Sequence, residues 1–369
     1  MAVSQKLSRF CGMKQTIAAK LLEWYDRQHR DLPWRVAPGQ IGRGVKPDPY
    51  RVWLSEIMLQ QTTVEAVKKY FLAFTKAWPT VAELAAANEE DVLKAWAGLG
   101  YYSRARNLKK AADAVLRDHG GAFPQTQAGL AKLPGVGRYT SAAIASIAFG
   151  EPVAVVDGNV ERVITRLEAI DTPLPAAKAL VYSVVDQILP KERPGDFAQA
   201  CMDLGATICS PRRPKCILCP LREDCRGLAE GEPEKYPVKA PKKVKPRRQG
   251  AAYVAIRNDG AILLNKRSDK GLLAGMSGVP VSDWTARTDG GIGEDAAPFA
   301  AKWVHCGTVS HVFTHFELEL HVHRTTTAIM TPKDTWWSKP DDLPHEALPT
   351  VMKKAIEAAV PNATRKMKP

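Results

Sequence analysis

Nowhere do the 369 residues hold the run of roughly 18 apolar side chains that a bilayer-crossing helix needs. The nearest approach, Ala142 to Phe149, is short and carries Ser146, so no membrane span is expected. The amino terminus, MAVSQKLSRFCGMKQ, has basic residues without an apolar stretch behind them and does not read as a secretory signal; an intracellular protein is expected. No internal repeat is visible. Acid is in short supply, 39 Asp and Glu against 52 Lys and Arg, and the net charge of +13 points to a polyanionic partner, nucleic acid or anionic membrane. Cysteine is scarce too. Seven is an odd number for a disulfide framework in a chain of this length, and four of them crowd between Cys209 and Cys225. With 45% hydrophobic and 25% charged residues the chain is not a disordered one, and its length predicts two or three domains.

Residues 1–226 carry a net +8, residues 227–250 +4 and residues 251–369 +1. The middle segment, GLAEGEPEKYPVKAPKKVKPRRQG, has four prolines and no apolar periodicity, and reads as an extended, solvated linker. Before it the pattern is helical: Trp53, Leu54, Ile57 and Met58 recur at helical spacing, as do Val160, Val163, Ile164, Leu167 and Ile170. After it the period changes. YVAIR, Asn258-Asp259-Gly260 and AILLNKR predict a β-hairpin, and Phe316, Leu318, Leu320 and Val322 alternate with Glu317, Glu319, His321 and His323. An all-α region followed by a smaller α+β domain is expected. His321 and His323 share one strand face, which reads as a polar surface rather than a metal site, since no further ligand set completes one.

Cys209, Cys216, Cys219 and Cys225 follow a C-x6-C-x2-C-x5-C spacing, where zinc sites more often pair two short C-x2-4-C hairpins; iron and sulfur are favoured. Arg212, Arg213 and Lys215 lie in the widest loop, placed to meet phosphate. Leu133-Pro134-Gly135-Val136-Gly137-Arg138-Tyr139-Thr140 puts Gly135 and Gly137 just before an Ala-rich helix, where backbone N–H groups attract an anion; an ordinary helix-helix turn is the plainer alternative. Asp157 ends the apolar run Val153-Ala154-Val155-Val156 and is placed to cap the helix beyond it. Glu56 interrupts VWLSEIML, and burial there would raise its pKa and make it a proton donor near neutrality. Two carboxylates in unlike environments are what glycosidic cleavage needs.

LPGVGRYT, VDGNV and the four-cysteine cluster together resemble the helix-hairpin-helix DNA glycosylases that carry a [4Fe-4S] cluster. LPWR at Leu32 to Arg35, PYRVWLSEIMLQQT at Pro49 to Thr62 and GLGYYSRARNL at Gly98 to Leu108 narrow the resemblance to the MutY family of adenine DNA glycosylases, over almost the whole chain. It implies an all-α glycosylase region over 1–226, with a six-helix subdomain about 36–150 and an iron-sulfur subdomain from 1–35 plus 151–226. A Nudix-like α+β domain over 251–369 would then follow the linker at 227–250. It implies removal of adenine mispaired with 8-oxoguanine or guanine in double-stranded DNA after base flipping, by a monomer in the cytoplasm and nucleoid. Glu56 matches the general acid, Asp157 the oxocarbenium-stabilising residue, and Tyr139 and Asn159 their supports. Leu32, Trp34 and Arg35 match the wall of the adenine pocket, Gln61 the intercalating glutamine, and Tyr101 an aromatic wedge beside the lesion, with Tyr102 left for core packing. Related lyases carry a lysine where Tyr139 stands, so a monofunctional enzyme is implied. Phe313, Thr314 and His315 fall on the family's Phe-Ser-His lesion-reading loop, with Thr314 departing from serine. No REXXEE segment is present, so this domain is expected to bind and not to hydrolyse. Glu161, where some members are basic, is given no DNA role. The rival readings are a thymine or uracil mismatch glycosylase and a silent iron-sulfur damage sensor.

Overall fold

The computed structural model describes residues 17–241, 244–268, 272–327, 331 and 333–365. The amino-terminal stretch read for a signal, and Lys242 and Lys243 of the expected linker, lie outside them. The chain divides into two compact units, Met1–Ala87 with Arg106–Pro241, and Asn88–Ala105 with Lys242–Pro369. Among the described residues no helix is long and apolar enough to cross a membrane.

The helices run α1 (17–28), α2 (Pro38–Ile41), α3 (Pro49–Leu59), α4 (Val64–Ala77), α5 (Val81–Ala86), α6 (Glu89–Trp96), α7 (Ser103–His119), α8 (Gln127–Leu130), α9 (Arg138–Phe149), α10 (Gly158–Leu167), α11 (Lys178–Ile188), α12 (Pro194–Thr207) and α13 (Arg226–Ala229). The periodic residues of α3 and α10 read from the sequence are all buried. One core of the first unit gathers Leu21 and Tyr25 of α1, Ala142 of α9, Val163 of α10, Val181 of α11 and Phe197 of α12. Helix α12 is its hub: every residue from Pro194 through Gly205 is buried. Small residues let its neighbours come close. A Cβ on Gly195 would stand 2.6 Å from the Ser146 carbonyl oxygen of α9, and one on Gly205 2.6 Å from Asn159 Cβ of α10.

Residues 227–241, part of the stretch expected as a solvated linker, are tied down. Tyr236 is buried, its hydroxyl donates to Glu230 at 2.7 Å, and its carbonyl accepts from Arg166 Nε at 3.1 Å. Lys239 bridges to Leu174, whose N–H donates to the Val238 carbonyl at 2.9 Å.

The second unit is built on a mixed sheet of β1 (Arg247–Ile256), β2 (Ile262–Lys266), β3 (Ser277–Gly278), β4 (Val304–Val312), β5 (Glu317–Thr326) and β6 (Thr335–Ser338). Its order is β3-β2-β1-β5-β4, with β6 also on β2. The expected hairpin is there: β1 and β2 are antiparallel with Ile256 opposite Ile262, and the turn uses Gly260 at φ +82°. β1 and β5 are parallel, from Arg247 opposite Glu317 to Ile256 opposite Thr326. Phe316, Leu318, Leu320 and Val322 share a core with Val351, Met352, Ala355 and Ile356 of α14 (Thr350–Ala359).

The wet face expected for His321 and His323 is not there at His323, which is only 5% exposed. Its Nε2–H donates to the Ile292 carbonyl at 2.8 Å, and its ring stacks on Tyr253 with centroids 5.6 Å apart. A second small core of Ala251, Tyr253, Ala255, Leu263 and Trp303, with Ala296 and Phe299 against it, covers this face. Strand alternation reports a solvated face only when nothing packs on it, and the cover comes from irregular chain with no period of its own.

Candidate active site

Helix α3 begins where Asp48 accepts from the Tyr50 N–H at 2.9 Å and Pro49 supplies the first turn. Its residues Val52 to Met58 are all buried, and Glu56 is carried in with them, 6% exposed. Its Oε2 accepts from the Tyr139 hydroxyl at 2.8 Å. Burial pushes the Glu56 carboxyl up to about 7; the Tyr139 hydrogen bond opposes that, Asp157 adds to it, and Arg35 opposes it. At that value a substantial share of the molecules carries the proton on Glu56 near neutral pH.

Tyr139 sits in the first turn of α9, and its own burial, with Glu56 and Asp157 nearby, raises its hydroxyl well above the ordinary value, so it remains a donor. What aims that turn is the preceding hairpin. Gly135 has φ +74°, and a Cβ there would lie 2.6 Å from Asn107 Cβ. Gly135→Ala is expected to cost about 1–3 kcal/mol through backbone strain and overpacking, read as a lower melting temperature. An alanine variant that melts with the wild type would show that the turn tolerates a side chain.

Asp157 is half-buried with extended backbone, and it caps α10 as the sequence suggested. Oδ1 accepts from the Val160 N–H at 2.7 Å and Oδ2 from Asn159 Nδ2 at 2.9 Å. Asn159 is held in turn: its Oδ1 accepts from Arg162 Nη2 at 2.9 Å, and the same nitrogen donates to the Gly205 carbonyl at 2.6 Å. Asp157 is thus fixed in plane and direction, and Tyr139 feels both it and Glu56.

The LPWR segment is packed into the first unit. Leu32 and Trp34 are buried, Trp34 lies edge-on to Phe71 at 5.4 Å, and Arg51 Nη2 donates to the Pro33 carbonyl at 2.9 Å. Arg35 Nη1 donates to Asp203 Oδ2 at 2.7 Å, and Arg30 donates to Oδ1 through Nε at 2.6 Å. Sequence reasoning missed Arg30 and Asp203. The available signal was the one that found Glu56, an acid interrupting the apolar run AQACMDLGA.

The remaining predicted residues lie apart from these carboxylates in kind. Gly137 is exposed and caps α9 through its backbone. Gln61 and Tyr101 are exposed, and both have left-handed backbone, φ 58° and 48°. Tyr101 is 54% exposed whereas Tyr102 is buried, the division the sequence suggested. In the second unit, Phe313, Thr314 and His315 form the tip of the β4–β5 hairpin. Phe313 stacks on Phe316 at 4.7 Å, leaving Thr314 and His315 exposed. Glu161 pairs with Lys178 at 3.0 Å.

Cys209, Cys216, Cys219 and Cys225 are partly buried and unbridged. Among the described residues no three His, Cys, Asp or Glu side chains are gathered around a single ion. The four thiols are nonetheless within electrostatic reach of one another: burial pushes Cys219 up to about 12, and Cys209, Cys225 and Cys216 add to the rise. Arg166, fully buried, donates to Cys209 Sγ at 3.4 Å and to the Ser210 and Pro211 carbonyls at 2.7 and 3.0 Å. Four thiols that act on one another, with a guanidinium on one sulfur, are a donor set of the kind an iron-sulfur cluster takes.

The family described as HhH-GPD superfamily base excision DNA repair protein matches residues 54–181, and the NUDIX domain family matches residues 251–358. The adenine DNA glycosylase of Homo sapiens is 36% identical over 397 residues, spanning 91% of this chain and 72% of that protein. The adenine DNA glycosylase of Schizosaccharomyces pombe is 31% identical, spanning 94% and 90%. Among solved structures, a thermostable thymine-DNA glycosylase aligns with a TM-score of 0.51 at 31% identity, over 59% of this chain and 97% of that one.

Proposed function

The chain belongs to the adenine DNA glycosylases, within the helix-hairpin-helix base-excision repair proteins, and from that premise we propose that it hydrolyses the N-glycosidic bond of adenine opposite 8-oxoguanine or guanine in duplex DNA. The observation that carries this reading is a buried Glu56, hydrogen-bonded to Tyr139, together with an Asp157 held by Asn159 and the Val160 N–H and close enough to act on both Glu56 and Tyr139. Adenine leaves poorly as an anion. Glu56 donates its proton to the purine at N7, and the Asp157 carboxylate stabilises positive charge as it develops on the sugar. Water then adds at C1′, its departing proton returning to Glu56, so that adenine and an abasic site are the products.

The adenosine must first leave the stack, at a few kcal/mol. Gln61 and Tyr101, each exposed with left-handed backbone, are read as the side chains that enter the duplex, and Gly135 and Gly137 as the glycines that meet its phosphates. With Tyr139 where a lyase would have its amine, no Schiff base forms and the enzyme is monofunctional. Cys209, Cys216, Cys219 and Cys225 would hold a [4Fe-4S] cluster, which would cross-link the 209–225 loop. Arg212, Arg213 and Lys215 on that loop are exposed to the backbone. Residues 1–226 then perform excision as a monomer inside the cell, and residues 251–369 read the lesion through Phe313, Thr314 and His315.

Duplexes carrying A opposite 8-oxoguanine, A opposite G, and T or U opposite G, treated with protein and then alkali, test this. Cleavage of the first two alone is expected, with no borohydride-trapped adduct. Excision of thymine or uracil without adenine would overturn the reading.

A further inference from the structure

We propose that Asp203 is a positioning residue for the reaction, holding the Arg35 guanidinium beside Glu56 and balancing its charge. The inference rests on Glu56 being the proton donor.

The side chain of Asp203 is fully buried in α12 and accepts three N–H groups: Arg30 Nε at 2.6 Å, the Arg30 backbone N–H at 2.9 Å and Arg35 Nη1 at 2.7 Å. Its two partners bracket Leu32 and Trp34, so one carboxylate pins the whole 30–35 segment to the hub helix. As a stabilising device this is a poor choice. Two guanidinium groups sharing one buried carboxylate leave a surplus positive charge, and a buried ion group seldom outperforms apolar packing. The surplus has a use in its location. Arg35 is 9% exposed and acts on Glu56 and Tyr139. The charged and titratable groups acting on Glu56 are Tyr139 from α9, Asp157 ahead of α10, and Arg35. Asp157 favours the protonated carboxyl and Arg35 the ionised one, so how much of the Arg35 charge Asp203 offsets sets where the proton is released.

The same helix holds the other carboxylate. Two residues on, Gly205 receives Arg162, which grips Asn159 and through it Asp157. Helix α12 therefore anchors both Arg35 and the chain of contacts behind Asp157.

The test is the single-turnover excision rate on an A:8-oxoguanine duplex between pH 5 and 9. Asp203→Asn keeps the shape but leaves Arg35 uncompensated. Its alkaline limb should move to lower pH, giving a loss roughly tenfold greater at pH 8 than at pH 5.5, as a one-unit shift requires. Arg35→Met should move the limb to higher pH. Arg30→Gln, at the most exposed member of the triad, retains the Asp203–Arg35 pair, and its limb should also rise; it decides the matter if Asp203→Asn does not fold. Equal losses at every pH in Asp203→Asn and Arg30→Gln, or shifts in the same direction, would overturn the proposal. Glu56→Gln run alongside separates the two ideas: if it kept the wild-type rate, the assignment of Glu56 would fail first.

Discussion

Glu56→Gln is expected to slow adenine excision by about 10²- to 10⁴-fold at neutral pH while making the protein harder to unfold at alkaline pH. Both effects come from one cause. In the unfolded chain a glutamate titrates near its ordinary value of about 4.3; in the fold burial lifts Glu56 to about 7. Because the folded value is the higher, the contribution of Glu56 to stability is fully present below the unfolded value and is lost as pH rises through about 7. Above that, holding the ionised carboxylate in place costs on the order of 3 kcal/mol. Glutamine is neutral throughout and still accepts from the Tyr139 hydroxyl. The variant should therefore melt well above the wild type at pH 8 and close to it at pH 4. A melting difference that is the same at both pH values would mean that Glu56 is not buried as a weak acid.

Gly205→Ala is expected to damage the other carboxylate without touching DNA. Its Cβ would meet Asn159 Cβ at 2.6 Å and the Asn159 Cα and carbonyl oxygen at 3.1 Å, so backbone has to move. Overpacking of this kind costs about 1–3 kcal/mol. The larger effect is on rate, because what shifts is the residue that orients Asp157, and a displacement near 1 Å is worth about 100-fold. Duplex affinity should change far less than the excision rate. Gly39→Ala, with nothing within 4 Å of its new methyl, is the control and should leave both unchanged. Wild-type turnover by Gly205→Ala would show that α10 can slide on α12 freely.

The burial of Glu56 and the capping by Asp157 were legible because the first interrupts a run of apolar residues and the second ends one ahead of a helix. Asp203 breaks a run in the same way, yet its partners Arg30 and Arg35 lie more than 160 positions away, and nothing in local spacing connects them. The hairpin of β1 and β2 was legible from Asn258-Asp259-Gly260, since turn chemistry is local. The burial of His323 was not, because the segment that covers it has no regular period. Gln61 and Tyr101 were located by motif alone; their left-handed backbone, which pushes both side chains outward, is a property of the fold.

The tethering of residues 227–241 changes where the chain has its seam. By its sequence the helical region finishes just after its last cysteine, and the prolines beyond look like string. Mechanically it does not finish there: Arg166 reaches from α10 to the Tyr236 carbonyl with the same guanidinium that holds the cysteine loop, and the strand-like bridge at Leu174 takes Val238 and Ala240. Residues 227–241 work as a strap on the excision machinery. Recombination that exchanged carboxy-terminal domains between relatives would keep the strap only by joining beyond Pro241, so the boundary at which modules are interchangeable is set by that strap and not by the four-cysteine motif.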